Sequence, residues 1–237
     1  EESRAVGHDD RPGFLVNRLL SPYLSEAGRL LAEGASVEHV DEVLTEFGMP
    51  MGPLRLLDEI GFDIAEHAGK EMGAAFGDRL ATSDVIERLI ESGRLGKKNG
   101  RGFYLYQDGK STGADAGAAD LVRGIETDAS GGGRRASDDE VLARCLYLMV
   151  NEAAFALEDG VVADAGMVDL AMVMGTGFPP FRGGLLRWAD DVGVREIRDR
   201  LVAFAADLGP RFTPAPLLGQ LADNDRTFTH SSQTTLP

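Results

Sequence analysis

The sequence predicts an all-α chain made of two tandem, related helical halves, and three observations lead there. Apolar residues recur at spacings of three and four over long stretches, the period of helices that bury one face. The palette is helical: 43% of residues are hydrophobic but only 7% aromatic, so Leu, Val, Ala and Met must build the core. Third, a set of short motifs occurs twice in one order. Glu26-Ala27 followed by Glu33-Gly34 is echoed by Glu152-Ala153 followed by Asp159-Gly160, both offset by 126 residues. Val40-Asp41 returns as Val168-Asp169, the turn Gly48 to Gly52 as Gly177 to Gly183, and Leu57-Asp58 as Ala189-Asp190, where the offset has drifted to 132. A helix, a proline-glycine turn and an acidic pair in one order twice read as a duplication, and 237 residues suffice for two small cores.

Residues 1–12 are polar and read as a loose lead-in. From Phe14 to Glu33 the apolar period predicts a long helix; Pro22 inside it predicts a bend or a relaxed hydrogen-bond ladder, and Gly34 a stop. Ser36 caps a second helix lined by Val37, Val40, Leu44 and Phe47 and ended by Gly48. After the rigid turn Gly48 to Pro53, residues Leu54 to Ala75 read as one or two helices interrupted near Gly61, and Ser83 opens a short capped helix. Gly93 to Gly102 is a glycine-punctuated basic loop, followed by the apolar, aromatic Phe103 to Tyr106. Over 107–137 Gly, Ala, Asp and Ser dominate, only Ala119 to Ile125 looks helical, and Ser130 to Gly133 is linker chemistry. At Ser137 a new helix opens, with Asp138, Asp139 and Glu140 at the positive end of its dipole and an apolar stripe from Val141 to Leu157. From Thr227 the pattern ends and the tail is expected to fray. The expected division is a first domain at 10–107, a linker at 108–136 and a second domain at 137–226.

With 24 basic and 39 acidic residues the net charge is −15, which argues against nucleic acid or an anionic membrane as the main partner. The longest uncharged apolar runs are a few residues, so neither a membrane span nor a secretory signal is expected, and the chain reads as soluble and cytoplasmic. A single cysteine, Cys145, excludes an internal disulfide and a Cys-based zinc site, and the scattered histidines suggest no metal site. Neither a Gly-x-Gly-x-x-Gly after a strand nor a P-loop is present, so nucleotide binding is not self-contained. Arg94, Lys97, Lys98 and Arg101 form the densest basic cluster of the first half, where an anionic ligand would be met.

One resemblance covers residues 10–226. Asp10-Arg11-Pro12-Gly13-Phe14-Leu15-Val16-Asn17-Arg18, then Pro22-Tyr23-Leu24, then Leu30-Leu31 and Gly34, is similar to the 3-hydroxyacyl-CoA dehydrogenase C-terminal domain. Gly48 to Pro53 with Leu57-Asp58, Gly61 and Asp63, and the stretch Gly96 to Tyr104, resemble that family's next two blocks in the right order. The second half, with Asn151-Glu152-Ala153 and Gly177 to Gly184, resembles the degenerate second copy in the multifunctional fatty-acid β-oxidation α subunit. The resemblance implies a fold like the C-terminal domain of 6-phosphogluconate dehydrogenase, and the substrate-side part of an NAD-dependent (3S)-3-hydroxyacyl-CoA dehydrogenase.

Taken alone, Asn17 reads as a helix-start asparagine capping backbone groups; the resemblance makes it the catalytic, substrate-binding amide that holds the oxygen of the hydroxyl or keto group. Lys98 alone reads as a solvated charge; the resemblance brings it to the nicotinamide cofactor. Arg18 reads as a structural ion pair rather than a ligand. Met174 to Gly184 falls where multifunctional relatives shape an acyl pocket, although position 174 is often aromatic there. Met49, Met51, Phe178 and Phe181 read either as an acyl channel or as core. The resemblance also implies that NAD sits mainly on a Rossmann domain not found in this chain, so that the chain alone oxidises nothing. Implied partners are the acyl-CoA substrate, Rossmann and enoyl-CoA hydratase domains in cis or trans, a thiolase subunit and a second copy in a homodimer. The other reading is a non-catalytic helical module for dimerisation or thiolase docking.

Overall fold

The structure is a computed structural model that describes residues 12–125 and 136–231. The lead-in through Arg11, with the first two residues of the Asp10-Arg11-Pro12 motif, and the Ser130 to Gly133 linker lie outside the described residues. The first half contains α1 (Pro12–Ala32), α2 (Val37–Phe47), α3 (Pro53–Ile60), α4 (Phe62–Phe76) and α5 (Asp84–Glu91). An antiparallel hairpin, β1 (Tyr104–Gln107) and β2 (Lys110–Ala114), and α6 (Ala116–Val122) complete it. The second half contains α7 (Asp138–Glu158), α8 (Ala165–Thr176), α9 (Leu185–Val192), α10 (Val194–Leu208), α11 (Pro216–Asp223) and α12 (Phe228–Ser231). Helix lengths repeat: α1 and α7 have 21 residues each, α4 and α10 have 15, and α3, α5, α9 and α11 have 8.

The predicted caps form. Ser36 Oγ accepts from the His39 N–H, Ser83 Oγ from the Val85 N–H and Ser137 Oγ from the Glu140 N–H. Helix α1 runs continuously through Pro22. Gly61, at φ +92°, separates α3 from α4, a turn that a residue with a Cβ makes only under strain.

Buried aspartates pin each half in the same way. Asp41 accepts from the Leu54 and Arg55 N–H groups, both at 2.9 Å, and Asp169 accepts from those of Leu186 and Arg187. A Cβ at Gly52 would stand 2.3 Å from the Asp41 Cβ, and one at Gly184 2.3 Å from the Asp169 Cβ, so each carboxylate requires its glycine. Asp58 accepts from Phe103 N–H at 2.8 Å and Tyr104 N–H at 2.9 Å; Asp190 accepts from Phe228 N–H at 2.8 Å and Thr229 N–H at 3.0 Å. This last pair corrects the expectation of a frayed tail: residues 227–231 are held, with Phe228 buried, because Asp190 supplies the acceptors. The expected linker is likewise structured over 110–122, where Ala118 and Val122 bury against the first core and Asp115 caps α6 through Gly117 N–H.

The halves meet along α1 and α7 through reciprocal ion pairs. Arg18 donates to Glu152 and Asp159, each at 2.6 Å; Arg144 donates to Glu26 at 2.7 Å and to Glu33 at 2.5 Å. Arg211 pairs with Glu26 at 2.8 Å and Arg79 with Glu152 at 3.0 Å. Every pair has its mate at the repeat offset, so the halves face each other about a pseudo-twofold axis. Burial works against ionisation of Glu26, yet Arg144, Arg211 and Arg29 hold its carboxyl down to about 2; at Glu152 burial prevails over Arg18 and Arg79 and pushes the carboxyl up. Arg18, fully buried, is thus the structural residue expected.

Candidate substrate site

Helix α1 has two working faces. Leu15, Leu19, Tyr23 and Leu30 bury against the core, while Phe14, Asn17, Ser21, Leu24, Ser25 and Gly28 line a second stripe at spacings of three and four. That second stripe is one wall of a cavity of about 420 Å³, closed by Leu57 and Ile60 from α3, by Ile64 to Ala75 from α4, and by Thr82, Ser83 and Ile86 at the start of α5. Asn17, Ile64 (57% exposed), Glu71 and Ala75 stand at its rim; Ser25, Gly28, Leu57, Ser83 and Ile86 are its buried floor. An exposed amide at the edge of an apolar hollow offers a hydrogen-bond donor where a ligand's polar atom would stop and its apolar part would continue.

Lys98 does not line this cavity. It lies on the single turn Lys97–Asn99, 41% exposed, with its Nζ hydrogen-bonded to Asp63, whose carboxyl that bond lowers. Asp63 precedes the rim residue Ile64, so the lysine stands beside the mouth. The basic cluster expected to meet an anion is internally neutralised: Arg94 is buried against Asp115 at 2.7 Å and Gly102 O at 3.0 Å, Lys97 holds Glu59 at 2.8 Å, and Arg101 stands 3.7 Å from Asp115. The four turn residues read as channel or core do not line the cavity either. Met49 and Phe178 are core, and Phe178 packs edge-on to Phe47 at 5.7 Å; Met51 is half-buried, and Phe181 (77% exposed) faces outward, as does Met174 (78% exposed).

Sequence reasoning picked out Asn17 but missed the cavity walls. The signal was present: small residues at 21, 25 and 28 of α1 face Ala65, Ala68 and Gly69 of α4, and two small-residue faces cannot fill the space between their helices. Among the described residues no cluster of three or more His, Cys, Asp or Glu side chains could hold a metal, and no helix is long and apolar enough to cross a membrane. Among the described residues the sheet is a two-stranded hairpin.

Comparison with known proteins follows the same division. The family model described as 3-hydroxyacyl-CoA dehydrogenase, C-terminal domain, matches residues 13–106 and again residues 141–235. The chain is 40% identical over 219 residues to the fatty acid oxidation complex subunit alpha of Idiomarina loihiensis, a match that takes in 92% of this chain and 30% of that protein. It therefore spans under a third of that relative's length. Among solved structures, 3-hydroxybutyryl-CoA dehydrogenase from Escherichia coli K12 superposes with a TM-score of 0.71 at 25% identity, covering 90% of this chain and 60% of that one. The dehydrogenase part of multifunctional enzyme 1 from C. elegans does so with 0.66 at 24% identity, covering 89% and 48%, and shares the fold.

Proposed function

The chain belongs to the 3-hydroxyacyl-CoA dehydrogenase family, carrying its C-terminal domain twice, and from this we propose that it forms the substrate side of an NAD-dependent (3S)-3-hydroxyacyl-CoA dehydrogenase of fatty-acid β-oxidation. The observation that carries the proposal is Asn17, an exposed amide at the rim of an apolar cavity, whose counterpart in the second copy is the buried Ala143. Its Nδ2 donates to the C3 oxygen of the substrate and stabilises the negative charge that gathers there as hydroxyl becomes carbonyl; removing one such donor costs about 10²–10³ in rate. NAD, which accepts the hydride, is held mainly by a Rossmann domain outside these residues, and Lys98 is this chain's contribution to it once released from Asp63. The working division remains a first copy at 10–107 and a second at 137–226. Hydratase domains in cis or trans, a thiolase subunit and a homodimer partner, in the cytoplasm, complete the proposal.

A specific observation supports the second reading, a docking module, beside the first. Met167, Leu170 and Met174 form an exposed apolar stripe along α8, with Phe181 just beyond it. Calorimetric titration of the chain with 3-ketoacyl-CoA and with NAD separates the readings: acyl-CoA binding that Asn17→Ala weakens is expected. Binding of neither ligand, with intact association to a thiolase, would defeat the enzymatic reading. NAD-dependent turnover of a 3-hydroxyacyl-CoA by this chain alone would defeat its dependence on a further domain.

A further inference from the structure

We propose that the cavity behind Asn17 is a channel for the alkyl tail of the thioester, and that its floor at Gly28 makes the site selective for long acyl chains. The inference rests on the substrate class proposed above and adds where the tail lies and what reads its length. Three features of the cavity point to an alkyl occupant. Among the described residues Glu71 is the only charged one lining it, and its side chain stands in solvent beside His67. Of the lining hydroxyls, Ser83 Oγ accepts from the Val85 N–H and the buried Thr82 Oγ1 has no partner, one open polar atom at the α5 end of walls that are otherwise mostly apolar. From Asn17 to Gly28 the wall follows eleven residues of helix, about 16 Å, and 420 Å³ is room that a four-carbon acyl group would leave mostly empty.

The second copy supplies the contrast. At the positions equivalent to Ser25, Gly28, Gly69 and Met72 it carries Asn151, Ala154, Leu201 and Phe204, each bulkier, and the equivalent space is filled: Leu201 is fully buried, and the Phe204 and Phe212 rings pack at a tilt with centroids 5.3 Å apart. Asn151, in turn, spends its amide on Thr213 O and the Ala215 N–H. The fold thus has a filled alternative, and the first copy keeps the hollow where the amide is. A Cβ added at Gly28 would meet Val85 at 3.5 Å and the floor residue Ser83 at 3.8 Å, ordinary contacts, so the backbone there admits a side chain beside the floor.

The test is titration calorimetry of the 237-residue chain with 3-ketohexadecanoyl-CoA and with acetoacetyl-CoA, both below micellar concentration. The longer ligand is expected to bind at least about tenfold more tightly. Gly28→Leu is expected to lower that ratio at least about tenfold while the melting temperature holds or rises, since leucine is the better helix former. Ala68→Trp attacks the same channel from α4 should Gly28→Leu fail to fold. Equal affinities in the parent chain, or an unchanged ratio in folded variants, would overturn the channel and leave the enzymatic reading standing, with the hollow then a seat for another domain. Binding of neither ligand would remove both.

Discussion

Helices α1 and α7 occupy equivalent places and do different work. In α7 nearly every position from Val141 to Ala156 is buried, whereas α1 leaves its second stripe facing the cavity. The loops diverge too: α5 is followed by the basic loop before Phe103, while only residues 224–227 separate α11 from Phe228. What both halves retain is scaffold: the Arg–Glu pairs, the capping aspartates and their glycines. What only one half has, Asn17, the hollow and the Lys98 loop, is the proposed chemistry. Scaffold features should therefore cost stability when removed, and single-copy features should cost ligand binding.

The largest effect is expected at the reciprocal pairs. Arg144→Ala leaves the buried Glu26 with only Arg211 and Arg29 and should destabilise by about 3–5 kcal/mol, read by urea denaturation. Arg18→Ala should cost less, because Asp159 is 42% exposed and water replaces the lost partner there. Equal losses would mean that the halves do not share the load as their burial indicates.

Next come the aspartates. Asp58→Ala strands the Phe103 and Tyr104 N–H groups and the Tyr106 hydroxyl, and should cost about 1–3 kcal/mol; Asp190→Ala should cost less, since Asp190 is only half-buried. Burial raises the carboxyls of Asp41, Asp58 and Asp169 to about 6. A carboxyl raised in the folded state binds protons there that the unfolded chain releases, so the contribution of these groups falls as pH rises from about 4 through 6. Glu26, lowered to about 2, acts in the opposite sense, its contribution present above about 4.5 and lost as pH falls toward 2. Denaturation between pH 3 and 7 should show the decline above pH 4, and the variant Asp41→Asn should flatten part of it.

Much of the scaffold was legible because it rests on local chemistry. Ser36, Ser83 and Ser137 cap, Gly34, Gly48 and Gly61 punctuate, and the repeat of Asp41 and Asp58 was visible as spacing. The rest depended on partners distant in sequence. Thr227 to Ser231 carries no apolar period of its own and is ordered by Asp190, 38 residues away from Phe228. The hairpin after Phe103 is set by Asp58, whose carboxylate fixes the Phe103 and Tyr104 amides. Lys98 and its neighbours looked like free charge because their carboxylates, Asp63, Glu59 and Asp115, are remote in sequence. The cavity is a property of two faces together, and a pattern search that reads one helix at a time registers only the apolar one.

The smallest effect on stability is expected at Lys98. Its bond to Asp63 lies in solvent, where holding two long side chains in place offsets most of the attraction, so Lys98→Ala should leave the urea midpoint unmoved. Lys97→Ala, which leaves the partly exposed Glu59 with Arg55, should behave alike. Arg94→Ala, two residues before the glycine that opens the turn, should not, because its guanidinium is buried and ties Gly102 O to Asp115. Within one loop the comparison of the halves then repeats at the scale of single residues: the buried cation holds the loop's shape, and the exposed ones do not. A Lys98→Ala variant destabilised as much as Arg94→Ala would place Lys98 with the scaffold and remove it from the cofactor side of the site.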